Sequence, residues 1–348
     1  MRKKKLGRTG LEVSACCLGT MTFGEQVSEA DTHRLLDRVV DAGVDFLDAA
    51  EMYPIPPKAE TQGRTEAFIG SWMRARGNRD RLVIATKVAG RSEQRWLRAN
   101  GGGTELSRAQ IREAVEGSLK RLGTDVIDLY QVHWPDRTVS QWGSNPTIFR
   151  QRSGPEIAIE ETLGALAELV REGKIRFIGL SNESAWGTMR YLAASAANGA
   201  PRVQSIQNAY SLVNRTFEVN LAEIALREDV PLLAYSPLAQ GFLTGKYRHG
   251  ALPAGSRKAL FDRQQRYEKP GAAAAFDAYC RLAAELGLDP AQMALRFVDT
   301  RPFVGSTIIG VTTMQQLETD LAAFDLAWTP EIEERVDAIH LVRGNPCP

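Results

Sequence analysis

Short apolar runs alternate with amphipathic stretches along the whole 348-residue chain. The runs are Ala15–Leu18, Phe46–Asp48, Leu82–Lys87, Val126–Val132, Phe177–Leu180, Ser205–Gln207, Leu232–Tyr235 and Thr307–Ile309. They are too short for helices, and apolar residues fill successive rather than alternate positions, which predicts strands buried on both faces. Apolar residues recurring every three to four positions predict helices over 28–42, 64–76, 107–121, 156–172, 184–198, 218–228, 273–287 and 313–323. Several ends are marked: Ser28 before the first helix and Gly43 after it, Ser107 and Gly123 around the third, Gly173 after the fourth, and Asp289-Pro290 before a further helix near 291–299. Eight buried strands separated by helices imply a parallel sheet with helical crossovers, and eight is the number that closes a (β/α)8 TIM barrel. The rival is an open doubly wound sheet. A nucleotide-binding domain of that kind carries G-x-G-x-x-G after its first strand, whereas here Leu18-Gly19-Thr20-Met21-Thr22-Phe23-Gly24 follows.

A turn signal, Gly7-Arg8-Thr9-Gly10, predicts a hairpin over residues 3–14 ahead of the barrel, and an extra C-terminal helix is expected over 329–342. Three irregular stretches, 90–106, 134–155 and 247–271, fall between periodic segments and read as long βα loops. With no low-complexity linker, the expectation is one barrel domain over 1–348.

Composition narrows the function. The chain is 43% hydrophobic and carries 43 Lys+Arg against 42 Asp+Glu, a net charge of +1. That is ample material for a core, and it argues against disorder, a general nucleic-acid surface or an acidic tail. No apolar run approaches the ~18 residues of a membrane helix. The basic start Met1-Arg2-Lys3-Lys4-Lys5 has no apolar segment behind it, so no signal peptide is expected. Cys16, Cys17, Cys280 and Cys347 lack CxxC spacing and are too few for a disulfide framework. A reduced, cytoplasmic protein that binds neither nucleic acid nor membrane is the expectation.

Barrel chemistry sits at the C-terminal ends of the strands. Asp48 ends the second strand and Tyr53 follows in its loop; Lys87 ends the third strand and His133 the fourth. A phenol titrates near 10, too high for acid–base work at neutral pH, and a neighbouring ammonium lowers it. A carboxylate holds the ammonium, and a histidine can orient a carbonyl oxygen beside the phenol. The set suits protonation of a carbonyl oxygen while another group attacks its carbon. Each residue alone also has a structural reading: Asp48 as a turn cap, Tyr53 as packing, Lys87 as a solvated tip, His133 as a core histidine. Their placement on three successive strands favours the chemical one. No His-x-x-x-His, His-Glu-x-x-His or Cys/His spacing points to a metal, and no Gly-x-Ser-x-Gly elbow is present.

These segments resemble the aldo-keto reductase superfamily. The motifs that carry the resemblance are Leu47-Asp48-Ala49-Ala50-Glu51-Met52-Tyr53, Ala85-Thr86-Lys87, Leu129-Tyr130-Gln131-Val132-His133, Ile178-Gly179-Leu180-Ser181-Asn182, Tyr235-Ser236-Pro237-Leu238 and Ile308-Ile309-Gly310. Residues 207–215 and 287–295 are most similar to the bacterial Tas-type branch, which is related to the potassium-channel β-subunit group. The resemblance implies a nicotinamide cofactor, with Tyr53 as general acid, Lys87 lowering its pKa, Asp48 pairing with Lys87 and His133 orienting the substrate. It further implies that Ser181, Asn182 and Gln207 bind the carboxamide and that Tyr235 stacks on the nicotinamide ring.

A phosphate site has separate support. Ser236-Pro237-Leu238-Ala239-Gln240-Gly241-Phe242-Leu243 follows the seventh strand, where barrel loops commonly cradle phosphate with backbone N–H groups. Gly241-Phe242-Leu243-Thr244-Gly245-Lys246 is no P-loop, having three residues between its glycines and Tyr247 after the lysine. By resemblance, Lys246 and Arg257 meet cofactor phosphate and adenosine, and the segment Gly310-Val311-Thr312 through Gln316 to Asp320 lies on the adenosine side. Gln316 stands where many members have Arg and Asp320 where Asn is usual. NADP(H) is the expected cofactor, ahead of NAD(H). The expected activity is NADPH-dependent reduction of an aldehyde or ketone; the alternative is a slow, redox-sensing subunit like a channel β-subunit. Trp96 and Trp134, with Trp142 and Phe149, either line the substrate pocket or bury loop surface. Substrate identity and oligomeric state are open.

Overall fold

The computed structural model describes residues 1–139, 148, 154–261 and 265–348. Strands β1 (Lys3–Lys5) and β2 (Glu12–Ser14) form the antiparallel hairpin. Eight strands then close a parallel barrel in chain order: β3 (Cys16–Gly19), β4 (Phe46–Asp48), β5 (Val83–Val88), β6 (Ile127–Val132), β7 (Ile175–Ser181), β8 (Val203–Gln207), β9 (Leu232–Ala234) and β10 (Val304–Ile309), with β10 pairing back onto β3.

Around it lie α1 (Glu29–Asp41), α2 (Arg64–Arg76), α3 (Arg108–Leu122), α4 (Ile159–Arg171), α5 (Ala185–Asn198), α6 (Leu221–Arg227), α7 (Arg257–Leu260), α8 (Ala272–Glu285), α9 (Pro290–Asp299), α10 (Met314–Ala322) and α11 (Pro330–Arg343). Local chemistry sets many of their ends. The Ser28 hydroxyl accepts the Asp31 N–H at α1, and the Asp289 carboxylate accepts the Ala291 and Gln292 N–H groups at α9, with Pro290 in the first turn. Ser107 precedes α3 as expected but makes no side-chain cap. The helix expected over 218–228 is split. Thr216–Glu218 forms a 3-10 turn, and Asn220, at φ 71°, interrupts the helical backbone before α6. Between β9 and β10 the crossover is a helix pair, α8 and α9, because the chain breaks at Gly287 (φ 67°) and Asp289 starts a new helix.

Burial on both faces gives the strands an alternating parity, interrupted by register shifts between Ile178 and Leu180 on β7 and between Val304 and Ser306 on β10. On β5, Ile84 and Val88 pack outward with the helices while Val83 and Ala85 face the barrel interior, so Lys87 faces inward too. The same alternation sends Phe46 and Asp48, Leu129 and Gln131, and Leu233 and Tyr235 inward. The lower interior is apolar. Leu6 and Val13 of the hairpin join Cys17, Phe46, Val83, Ala85, Leu129, Leu233 and Ile308 in one buried cluster, so the hairpin plugs the N-terminal end. Burying two such aliphatic side chains stabilises the fold by roughly 1.5–3 kcal/mol each. The inward-facing Asp48, Lys87, Gln131 and Gln207 stand above this cluster, at the C-terminal ends of the strands. Gly179 on β7 leaves the room they need: a Cβ there would stand 2.8 Å from Ser205 Oγ and 3.0 Å from Gln131 Cγ.

Candidate functional site

The floor of the site is a buried charged layer. Lys87 Nζ donates to Asp48 Oδ2 at 2.6 Å and to the Ala49 carbonyl at 2.7 Å, and the lysine side chain has no exposed surface. The other carboxylate oxygen, Asp48 Oδ1, accepts the amides of Gln131 (3.0 Å) and Gln207 (2.8 Å). Gln207 also donates to Gln131 Oε1 at 3.2 Å. Strands β4, β5, β6 and β8 are thus tied together at one point. A buried ion pair with its remaining lone pairs filled is the arrangement that tolerates desolvation. Burial alone would lower the Lys87 ammonium, but Asp48 and Tyr53 outweigh it and hold it above the ordinary lysine value.

Tyr53 lies against this layer. Its backbone is fixed by hydrogen bonds from its N–H to the Ala50 carbonyl (3.0 Å) and from the Gly63 N–H to its own carbonyl (2.8 Å). Lys87 Nζ is 5.0 Å from the ring centroid. Burial pushes the phenol above its ordinary value, Lys87 pulls it back, and Asp48 adds to the rise. The pull of Lys87 has the expected sign, yet the net direction is upward because the phenol is desolvated. His133 stands edge-on to Tyr53, with ring centroids 5.7 Å apart at 82°. Its N–H binds the Val88 carbonyl and its carbonyl accepts from Asn182 Nδ2 at 2.8 Å. Burial first, and Lys87 second, drive the imidazole well below 6.5, so it is neutral at neutral pH. A protonated phenol and a neutral imidazole can both donate hydrogen bonds toward one oxygen.

Above this floor opens a cleft of about 1100 Å³. Asp48, Tyr53 and His133 line its base. Ser181, Asn182, Gln207 and Tyr235 line one wall, where the Ser181 hydroxyl donates to the Gln207 carbonyl (2.7 Å) and the Tyr235 hydroxyl to Asn182 Oδ1 (2.7 Å). The loop after β9 forms another wall with Ser236, Pro237, Leu238, Gln240 and Gly241. Its backbone turns left-handed at Ser236 (φ 56°), Ala239 (49°), Gln240 (55°) and Gly241 (95°). Lys246 lies alongside Gly241, where a Cβ would come 2.7 Å from the lysine Cε. Arg257, Gly310, Thr312, Gln316 and Asp320 also belong to the lining. The Gln316 side-chain oxygen accepts the Thr312 N–H (2.9 Å) and hydroxyl (3.1 Å).

The chain matches the Aldo/keto reductase family over residues 15–340. It belongs to the aldo/keto reductase family. It is 49% identical to "Protein tas" of Escherichia coli (strain K12) over 350 residues, covering all of both chains. It is 33% identical to "Uncharacterized oxidoreductase YrpG" of Bacillus subtilis, with 99% of this chain and 97% of that one covered. It is 32% identical to "Probable voltage-gated potassium channel subunit beta" of Oryza sativa subsp. japonica, with 97% and 96% covered. An aldo/keto reductase carries oxidoreductase chemistry, and among the described residues no helix is long and apolar enough to cross a membrane.

Not every expected residue of this aldo/keto reductase reaches the cleft. Lys87 stands behind its lining, bonded to Asp48 and 5.0 Å from the Tyr53 ring centroid. Trp96 is 43% exposed on the turn Arg95–Leu97 and lies outside the lining. Trp134 also lies outside it: the indole is buried, donates to the Arg91 carbonyl (3.0 Å) and packs 4.9 Å from the His133 ring. Trp96 bears on the site at most through its loop, whereas Trp134 packs behind the His133 ring. Trp142 and Phe149 fall outside the described residues. Conversely, sequence reasoning missed Gln131, which holds Asp48, and Arg266 and Lys269, which line the cleft from the third irregular stretch. A polar residue two positions before His133 in an apolar strand was the signal for Gln131; Arg266 and Lys269 had none. Among the described residues, no three His, Cys, Asp or Glu side chains gather to hold a metal ion.

Proposed function

We propose that this chain reduces aldehydes or ketones to alcohols with NADPH. The observation that carries the reading is the Tyr53 phenol held between the buried Lys87–Asp48 pair and the neutral His133 at the base of a deep cleft. Tyr53 delivers its proton to the substrate oxygen, and His133 donates a hydrogen bond that fixes that oxygen. Lys87 stabilises the phenolate left behind, and Asp48 keeps Lys87 in place against the bonds of Gln131 and Gln207.

The cleft suits the dinucleotide. Its walls bring the cations Lys246, Arg257, Arg266 and Lys269 to a left-handed loop whose Gln240 Oε1 is buried with no hydrogen-bond partner among the described residues. Lys246, Arg257 and backbone N–H groups of the loop after β9 would hold phosphates, Ser181, Asn182 and Gln207 the carboxamide, and Tyr235 the ring. When bound, NADPH supplies the hydride for the carbonyl carbon. The two cations favour NADPH over NADH. A small carbonyl compound as partner, a cytoplasmic setting and a single barrel domain over 1–348 belong to the same proposal.

The identity to a probable channel subunit beta favours a second reading, a cofactor-binding sensor with slow turnover. The test is an NADPH-oxidation screen over aldehydes and ketones, run beside NADH, with wild type and Tyr53→Phe. We expect NADPH binding within about twofold in the variant and turnover reduced by roughly 10²–10⁴. Wild-type-like turnover in Tyr53→Phe would refute the role of Tyr53. Tight binding with no turnover on any carbonyl would favour the sensor.

A further inference from the structure

Asp320, on the last turn of α10, is only 3% exposed, and what it shows faces the cleft. Neither of its carboxylate oxygens takes a hydrogen bond or an ion pair among the described residues, whereas the other buried acids around the barrel are paired: Asp48 with Lys87, Glu51 with Arg98, Glu66 with Arg121. A carboxylate buried without donors is costly, so such a group neutralises instead.

The groups around it are few. Asp289 faces it from the start of α9, with its oxygen Oδ1 already occupied by the Ala291 and Gln292 N–H groups. Lys246 faces it from the loop after β9, and the buried, protonated thiol of Cys16 from β3. The Arg38–Glu318 pair between α1 and α10 is exposed on the outer side. Burial and Asp289 push Asp320 up to about 8, against the pull of Lys246. Hence it is a neutral acid at pH 7 and an anion at pH 9.

We propose that Asp320 makes this cleft's grip on a phosphorylated dinucleotide proton-dependent. Protonated, Asp320 offers one O–H donor and leaves the charge of Lys246 to the ligand's phosphates. Ionised, it takes Lys246 as its own partner and repels those phosphates. The inference rests on the reading of this cleft as an NADP(H) site. A bound phosphate raises the acid's pKa further, so binding takes up a proton, and affinity is full below about pH 7 and falls as pH rises through 8.

The test measures NADPH affinity of the full chain by calorimetry from pH 6.5 to 9.5 at fixed ionic strength, in two buffers of different ionisation enthalpy. With the binding-competent fraction falling from about nine-tenths at pH 7 to about one-tenth at pH 9, the wild-type Kd should rise about tenfold. Proton uptake should be about one half at pH 8 and approach one near pH 9. Asp320→Asn, isosteric with the neutral acid, should bind as wild type does at pH 7, stay within about twofold at pH 9, and take up no proton. If wild type and Asp320→Asn weaken in parallel, Asp320 is not the switch although the cleft still binds NADPH. If neither binds NADPH at any pH, the cofactor reading fails and the inference with it.

Discussion

Lys87 and Asp48 allow the structural and chemical roles of one ion pair to be separated. Lys87→Met removes the ammonium 5.0 Å from the Tyr53 ring and strands a buried carboxylate. With the 5.0 Å ring-centroid distance taken as the charge separation and an effective dielectric of about 20, ammonium and phenolate attract by roughly 3 kcal/mol, equivalent to about two pKa units on Tyr53. A phenol that much weaker as an acid should slow carbonyl reduction at least about tenfold. Stability should also drop by about 3 kcal/mol, the low end for a broken buried pair, because Gln131 and Gln207 still donate to Asp48. The double variant Asp48→Asn/Lys87→Met strands no charge, so urea unfolding should show much of that loss recovered, with a coupling above about 1 kcal/mol. Its reduction rate, measured on whichever carbonyl the NADPH screen identifies, should stay as low as that of Lys87→Met. Recovery of wild-type kcat in the double variant would refute the argument, since the pair would then serve only to hold the barrel together.

Two further outcomes follow from the same burial. Arg98→Ala should cost about 3–5 kcal/mol in urea unfolding, because among the described residues it leaves Glu51 buried with only the Ala89 N–H (2.7 Å) on its carboxylate; a loss below 1 kcal/mol would contradict the pairing. His133 is held neutral well below 6.5, so its stabilisation is complete above pH 6.5 and declines as pH falls from there toward the native value, by up to about 1.4 kcal/mol per pH unit. Unfolding of wild type and His133→Gln between pH 7.5 and 5.5 should therefore converge; His340, also shifted down, titrates in both and cancels, and parallel curves would count against a buried neutral imidazole.

Much of the barrel was legible because burial on both faces leaves a crude signal that survives in single residues. Runs such as Val83–Val88 and Ile127–Val132 are buried at every position and apolar at four of six, on both faces, which is what a strand covered by helices outside and side chains inside needs. The boundaries that shifted are those decided by backbone conformation. Asn220 at φ 71° splits a helix that the apolar pattern alone would continue. The left-handed turn through Ser236, Ala239 and Gln240 gives no hydrophobic signal, since it depends on which conformations the backbone can bear rather than on which side chains are apolar.

The site divides along the same line. Asp48, Lys87 and His133 were readable because a polar residue at the end of a buried strand must point into the barrel mouth or be left unsatisfied. The strand parity that sends Phe46 and Ala85 inward sends Asp48 and Lys87 inward two residues later. That logic reaches Gln131 as well, once its parity with His133 is followed. It cannot reach Arg266 or Lys269, which come to the cleft on a long crossover whose path no periodicity encodes. Nor does it reveal the environment of Asp320. In sequence it is an ordinary helical acid, four residues after the Gln316 that caps Thr312. Its distinct chemistry arises only because α9 brings Asp289, the loop after β9 brings Lys246 near it, and none of the described residues hydrogen-bonds its carboxylate. A carboxyl group in that position gains a neighbouring anion without gaining a partner, and its charge becomes conditional on what else enters the cleft.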